Sequence, residues 1–296
     1  MGYEDRDYMR PGQPGGLGPQ RPAFFEGAPI TKQLIIANVV IFLIGALMTP
    51  SGAPLHYMTS LDIWGHFSIT EGLYHFQIWR LFTFQFLHGD GGHLLGNMIG
   101  MVFFAPHVER WMGSRPFVFY YLLCGIAGAL FYTILFFVPG MFDYPATVPL
   151  VGASAGLFGI LAAFYKIAPN ARILLFFCIP MKMKTFAIAY FALQVITVIF
   201  GLDNAGGAAG HLGGALLGLS FIKYKPLRTW LINVSEIGTG SSSSPKVRQA
   251  KVVREIQQSP IELNKEVDRI LEKISDHGIQ SLNDKERQTL DKARKR

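Results

Sequence analysis

Three segments of the chain set hydrogen-bonding side chains among apolar residues: His88, His93 and Asn97 in LHGDGGHLLGNM, Ser154 in VGASAGLFG, and His211 in GGAAGHLGGALLG. A serine hydroxyl is a weak nucleophile until a base takes its proton, and a neutral imidazole is suited to that task near pH 7. Ser154 and His211 are the candidate pair, and acyl transfer is the chemistry they would perform. That chemistry also needs donors aimed at the negative oxygen of a tetrahedral intermediate. His93 and Asn97 stand i, i+4 on one helix face and, with the Ser154 backbone N–H, would supply them. Gly152 and Gly156 flank the serine; His211, Gly214 and Gly218 follow i, i+3, i+7. Small residues at such spacing let two membrane helices approach closely enough for a Ser–His hydrogen bond of ~3 Å.

Each residue also has a bland reading. A serine in an apolar helix bonds its own i−4 carbonyl, glycine stripes pack helices, and His and Asn act as interhelical glue. These readings weaken if the three segments share one layer of one molecule, which is a question about the elements that carry them.

The chain has 296 residues, 50% hydrophobic and 16% charged, well under the ~25% charge of a soluble domain. Of its charges, only eight basic and six acidic residues fall between Gln33 and Lys223. A disordered chain, a nucleic-acid binder and an ordinary soluble enzyme all fit poorly, and the net charge of +7 implies no nucleic-acid partner because most charges sit at the ends. About 20 apolar residues cross a bilayer, and six segments qualify, the first, second and fourth being short: approximately 34–48, 93–108, 116–138, 151–165, 185–202 and 205–222. The fold class expected is an all-α membrane protein of six transmembrane helices. Lys and Arg concentrate in the leader and in the connections after spans two, four and six, whereas the other three connections hold Arg80 alone. Positive residues stay cytoplasmic on insertion, so both termini are placed there and spans two, four and six enter from the outer face. His93, Ser154 and His211 then all fall in the first two turns of their helices, ~5–10 Å below that boundary at ~1.5 Å per residue. One shared depth is what a site requires.

The remaining segments divide the chain into a leader (1–32), a membrane domain (33–224), a linker (225–260, including GTGSSSSP) and a small helical tail (261–296). The first connection, 49–92, carries nine aromatics including Trp64, Phe76 and Trp79, and is expected to be partly membrane-associated. Arg172–Lys184 is too short to span before Pro180 and reads as interfacial or as the run-in to span five. In the tail, Leu263, Val267, Ile270, Leu271 and Ile274 form a helical stripe, Gly278 ends it, and Ser281 and Asp284 have capping-box spacing. Cys124 and Cys178 belong to no CxxC or Cys/His cluster. No Cys, Asp or Glu shares the layer of the three segments inside a span, so neither a metal nor a cofactor is expected, and His66, His75 and His107 read as structural.

The order H-x4-H-x3-N, G-x-S-x-G, then A-x-H-x2-G-x3-G (Ala209, His211, Gly214, Gly218) closely resembles the rhomboid intramembrane serine proteases. Trp79-Arg80 and Glu109-x3-Gly113 are similar to the family pattern too, over roughly residues 33–224. The resemblance implies a six-helix bundle in which Ser154 is nucleophile and His211 general base. It implies oxyanion stabilisation by His93, Asn97 and the Ser154 amide, and membrane-protein substrates with a transmembrane helix in the lipid bilayer. The position four residues after the serine, often tyrosine in relatives, is Phe158, which can still stack on His211. His88 and Gly214 belong to the supporting pattern. No acid matches a third triad position, so a Ser-His dyad is expected, slower than a triad. The expected home is a bacterial plasma membrane. The alternatives are a non-catalytic rhomboid-like protein that binds transmembrane helices, from which a missing serine or histidine is expected, and a transporter, disfavoured for want of charged residues in the spans.

Overall fold

The computed structural model describes residues 25–53, 58–175, 178–236 and 260–294. Residues 1–24 of the leader, Tyr57 in the first connection and the GTGSSSSP segment lie outside them. The described chain is mainly helical. Helices α1 (Pro29–Met48), α4 (Gly91–Met112), α5 (Ser114–Phe136), α6 (Ser154–Ile167), α7 (Met183–Ile199) and α8 (Ala205–Lys223) occupy the six apolar segments, with α2 (Ser60–Gly65) and α3 (Arg80–Thr83) between the first two. Three of these, α1, α5 and α8, have the length and apolarity of a membrane span by themselves; α6 and α7 are shorter apolar helices.

The length of α6 bears on the site. Its 14 residues rise ~21 Å at ~1.5 Å each, short of the ~30 Å of a hydrocarbon core. The expected start at Val151 is corrected to Ser154: Gly152 has φ +125°, a backbone state that favours glycine, and its N–H donates to the Phe84 carbonyl. The chain therefore reaches α6 as extended backbone, bridged at Leu150 to Phe67, and the serine becomes the first residue of the helix.

Packing around α6 depends on absent side chains. A Cβ on Gly214 of α8 would collide with the Ala155 carbonyl, one on Gly218 would lie 2.8 Å from the Gly159 Cα, and one on Gly159 would lie 2.5 Å from Cys124 Sγ. The helices α5, α6 and α8 thus meet backbone to backbone. Gly156, grouped with Gly152 on sequence, faces α5 instead, where a Cβ would lie 2.5 Å from the Tyr121 ring.

The first connection is structured. After α2, with its Thr59–Asp62 capping box, come a π-helix (Ile69–Tyr74), α3 and a 3-10 turn (Phe84–Phe86). Arg80 ties them together: its Nε donates to Gln77 Oε1 at 2.6 Å, and Nη1 donates to the Ile63 and His66 carbonyls at 2.9 and 2.7 Å. Phe67, Ile69 and Phe84 are buried in the core, whereas Trp64, Phe76, Ile78 and Trp79 are exposed, the two indoles stacked at 5.5 Å. On α4, Glu109 caps α1 from below, its carboxylate accepting from the Ile30 and Thr31 amides and the Thr31 hydroxyl.

The Arg172–Lys184 run leads directly into α7, as a run-in to the fifth apolar segment does, and takes the form of an antiparallel hairpin, β1 (Arg172–Leu175) with β2 (Ile179–Lys182), because pairing satisfies backbone groups that a run too short to span leaves open. Two expectations are corrected. The 225–260 stretch begins with helix α9 (Lys225–Glu236), where Leu227, Trp230 and Leu231 make a helical stripe; Leu231 is buried and Trp230 stacks on Phe221 of α8. In the tail, helices Pro260–His277 and Asp284–Arg294 flank a turn at Gly278, φ +77°. The capping box there is Asn283 with Glu286, each accepting from the other's amide at 2.9 Å, not Ser281 with Asp284. Ile270 is buried between the tail helices and Leu271 is exposed.

Candidate active site

The serine and the histidine meet. His211 Nε2 lies 2.8 Å from Ser154 Oγ, across 57 residues of sequence. The hydroxyl stands at the N-terminus of α6, where the first-turn amides have no intrahelical acceptor, and the imidazole comes from the second turn of α8, brought near by the Gly214–Ala155 contact. Phe158, one turn below the serine, lies flat on the His211 ring with centroids 4.1 Å apart and planes 5° apart. The stacking expected on sequence is present, and Tyr190 of α7 packs against Phe158 with ring centroids 4.9 Å apart.

The other sequence candidates gather around this pair. Asp90 caps α4, its Oδ1 accepting from the His93 amide at 2.8 Å; that bond holds the Asp90 carboxyl below the usual carboxylate range. His93 is thereby set in the first turn of α4. A Cβ built on Gly152 would sit 2.8 Å from His93 Nε2 and 3.5 Å from Ser154 Oγ, so the missing side chain leaves one atom-sized space bordered by both groups. Asn97, one turn further on, is buried, and its Nδ2 has no acceptor. An unpaired buried donor costs about 1–3 kcal/mol and calls for an explanation. His88 lies in the loop before α4, buried with its ring edge-on to His93 at 5.1 Å.

Ser154, His211, His93, Asn97, Asp90 and Phe158 all line one cleft of about 2320 Å³. Its walls are apolar: Ile99 and Phe103 of α4, Leu157 and Leu161 of α6, Phe186 and Leu193 of α7. Phe104 and Phe186 stack at 6.1 Å across it. The volume exceeds the ~300–1,000 Å³ of small-molecule pockets.

One residue of the site was missed on sequence. Gln194 of α7 places Oε1 2.8 Å from His211 Nδ1. The signal was there: Gln194 is a polar side chain in the middle of an apolar 17-residue helix, and a search confined to acids passes over it. The histidines read as structural are held locally, His66 Nδ1 2.7 Å from the Asp62 carbonyl and His107 Nδ1 3.0 Å from that of Phe103. Among the described residues no group of three or more His, Cys, Asp or Glu side chains stands where it could hold a metal ion.

A Rhomboid domain family model matches residues 75–225, half of the chain, and the chain belongs to the rhomboid family of membrane proteins. A family of unknown function (DUF6576) matches residues 260–296. Among curated proteins the chain is similar to RHOMBOID-like protein 12, mitochondrial, of Arabidopsis thaliana, 29% identical over 191 residues, 62% of this chain and 54% of that protein. It is similar to Rhomboid protease GluP of Bacillus subtilis, 32% identical over 150 residues, 48% of this chain and 26% of that protein. It is also similar to Inactive RHOMBOID-like protein 8 of Arabidopsis thaliana, 27% identical over 117 residues, 40% and 29% of the two chains. The chain spans between about a quarter and about half of the length of these relatives. They include plant mitochondrial as well as bacterial proteins, so the resemblance to the family carries no bacterial assignment.

Proposed function

We propose that this protein is an intramembrane serine endopeptidase that cleaves transmembrane segments of other membrane proteins. The observation that carries the reading is the 2.8 Å contact between His211 Nε2 and Ser154 Oγ inside an apolar cleft. His211 takes the hydroxyl proton as Ser154 Oγ attacks the scissile carbonyl carbon; the same imidazole then gives that proton to the leaving amine, and an ester on Ser154 remains. A water molecule, deprotonated by His211, hydrolyses the ester and restores the serine. His93 Nε2, Asn97 Nδ2 and the Ser154 amide stabilise the oxyanion, which explains an unpaired buried amide on Asn97 and the space beside Gly152. A peptide bond inside an intact helix is closed to attack, so substrates carry helix-destabilising or small residues near the cut.

The distribution of Lys and Arg places both termini on the cytoplasmic side and the serine near the outer face. We place the protein in a bacterial plasma membrane. In mitochondria, where RHOMBOID-like protein 12 resides by name, the same charge rule puts the termini in the matrix. Six spans fit this arrangement, with α4, α6 and α7 completing the set that α1, α5 and α8 begin.

The test is covalent labelling of the membrane-embedded protein by a fluorophosphonate. Labelling is expected in the wild type and lost in Ser154→Ala and His211→Ala; retention in Ser154→Ala rules out this nucleophile. A relative bears the name inactive, and a wild type that takes no probe and cuts no membrane substrate would mark this chain as a non-catalytic binder of transmembrane helices.

A further inference from the structure

We propose that Gln194 is a positioning residue for the reaction, holding His211 as the tautomer that can act as base. The inference rests on the reading of Ser154 and His211 as nucleophile and base. A carboxamide oxygen only accepts hydrogen bonds. With Gln194 Oε1 at 2.8 Å from His211 Nδ1, the imidazole proton must be on Nδ1, and Nε2 is left with its lone pair directed at Ser154 Oγ, 2.8 Å away. This is the task that a buried carboxylate performs in a Ser-His-Asp triad.

Two contacts at right angles then define the ring. Phe158 lies flat against its face at 4.1 Å and prevents tilting, while the Gln194 hydrogen bond to Nδ1 prevents a flip about Cβ–Cγ that would put Cδ2 in the place of Nδ1 and Cε1 in the place of Nε2. Each comes from a different helix, α6 and α7, and neither is adjacent to His211 in sequence. Gln194 is 7% exposed, on a helix whose other buried residues are Met183, Ala187 and Val198. An ionised carboxylate buried in that setting carries a desolvation cost. The amide orients the base without that cost, at the sacrifice of most of the charge stabilisation that a carboxylate gives imidazolium. A slow, well-oriented base follows.

The experiment uses the full-length protein in liposomes, with fluorophosphonate inactivation rates, kcat and KM on a transmembrane substrate, and the pH dependence of kcat/KM for wild type, Gln194→Met and Gln194→Glu. Gln194→Met is expected to lower kcat about 10- to 100-fold, the worth of one hydrogen bond to an ionising group, with KM within twofold. Gln194→Glu is expected to recover the alkaline rate and to move the acid limb of the profile to higher pH, because a carboxylate stabilises imidazolium and keeps the base protonated longer. A merely structural glutamine would not move that limb. Unchanged kcat in Gln194→Met overturns the proposal, as does a loss matched by lower thermal stability with no recovery and no limb shift in Gln194→Glu. A wild type inert to the probe overturns instead the nucleophile assignment beneath it, so the two failures are separable.

Discussion

At the scale of single residues, the site is organised by what each side chain lacks. Asn97 has a buried amide with no acceptor, Gly152 has no Cβ where one would abut His93, and the first amides of α6 have no carbonyl to bind. Such features weaken a folded protein, and their convergence on one hydroxyl is accounted for if a negative oxygen arrives there during reaction. Asn97→Ala is expected to lower kcat on a transmembrane substrate about 10²- to 10³-fold, the measured worth of a single oxyanion donor, while raising thermal stability slightly or leaving it unchanged, since it removes an unsatisfied buried group. Parallel measurement of kcat and of the unfolding midpoint in detergent checks both halves. Equal activity in Asn97→Ala would return this side chain to the role of interhelical glue.

At the scale of elements, the polar contacts that hold helices in place are few and specific. Glu109 accepts three hydrogen bonds from the start of α1, and in the tail Lys273 Nζ bonds both carboxylate oxygens of Glu286 at 3.0 and 2.9 Å. The Lys273 ammonium, with the Asn283 amide, holds the Glu286 carboxyl below its ordinary value. A depressed folded-state value means that the contribution is fully present above the unfolded value of 4.5 and is lost as pH falls through the lower folded value. Protease resistance of the helix pair in the full-length protein should therefore be constant from neutral pH to about pH 5 and drop below it. Glu286→Gln should be cut at neutral pH as readily as the wild type is in acid. Identical digestion of the two proteins across this range would show that the Glu286 contacts do not hold the pair.

At the scale of the whole molecule, two native cysteines report on orientation. Cys124 is buried in α5, and Cys178 is exposed at the turn of the β1–β2 hairpin, which would lie on the cytoplasmic side in the proposed topology. A membrane-impermeant maleimide should label Cys178 in inside-out vesicles or permeabilised cells and leave it unlabelled in intact cells, with Cys178→Ser as the blank. Labelling from outside would invert the bilayer assignment and with it the side from which water reaches Ser154. The exposed aromatics of the first connection, Trp64, Phe76 and Trp79 among them, lie in the segment that this topology puts at the outer interface, where amphipathic rings are favoured.

The apolar segments, the three polar motifs and the glycine spacing were all legible in the chain because lipid punishes every exception to apolarity, so each polar residue left inside a span stands out. The stripe at His211, Gly214 and Gly218 already specified a face along which another backbone could approach. That Gly214 meets Ala155 whereas Gly156 meets Tyr121 was not readable, since a small residue states that something comes close and not which helix it is. The hairpin and α9 escaped for a related reason: short apolar runs have the same composition as strand, helix or linker until a neighbour such as Phe221 covers them. Gln194 stood out as a polar residue in an apolar helix, but its partner was decided by the fold alone. Its carboxamide reaches His211 only because α7 and α8 fold back on each other around Gly201 and Asn204, both at positive φ, and a hydrogen bond depends on where two atoms are in space, which residue types and spacings within one helix do not encode.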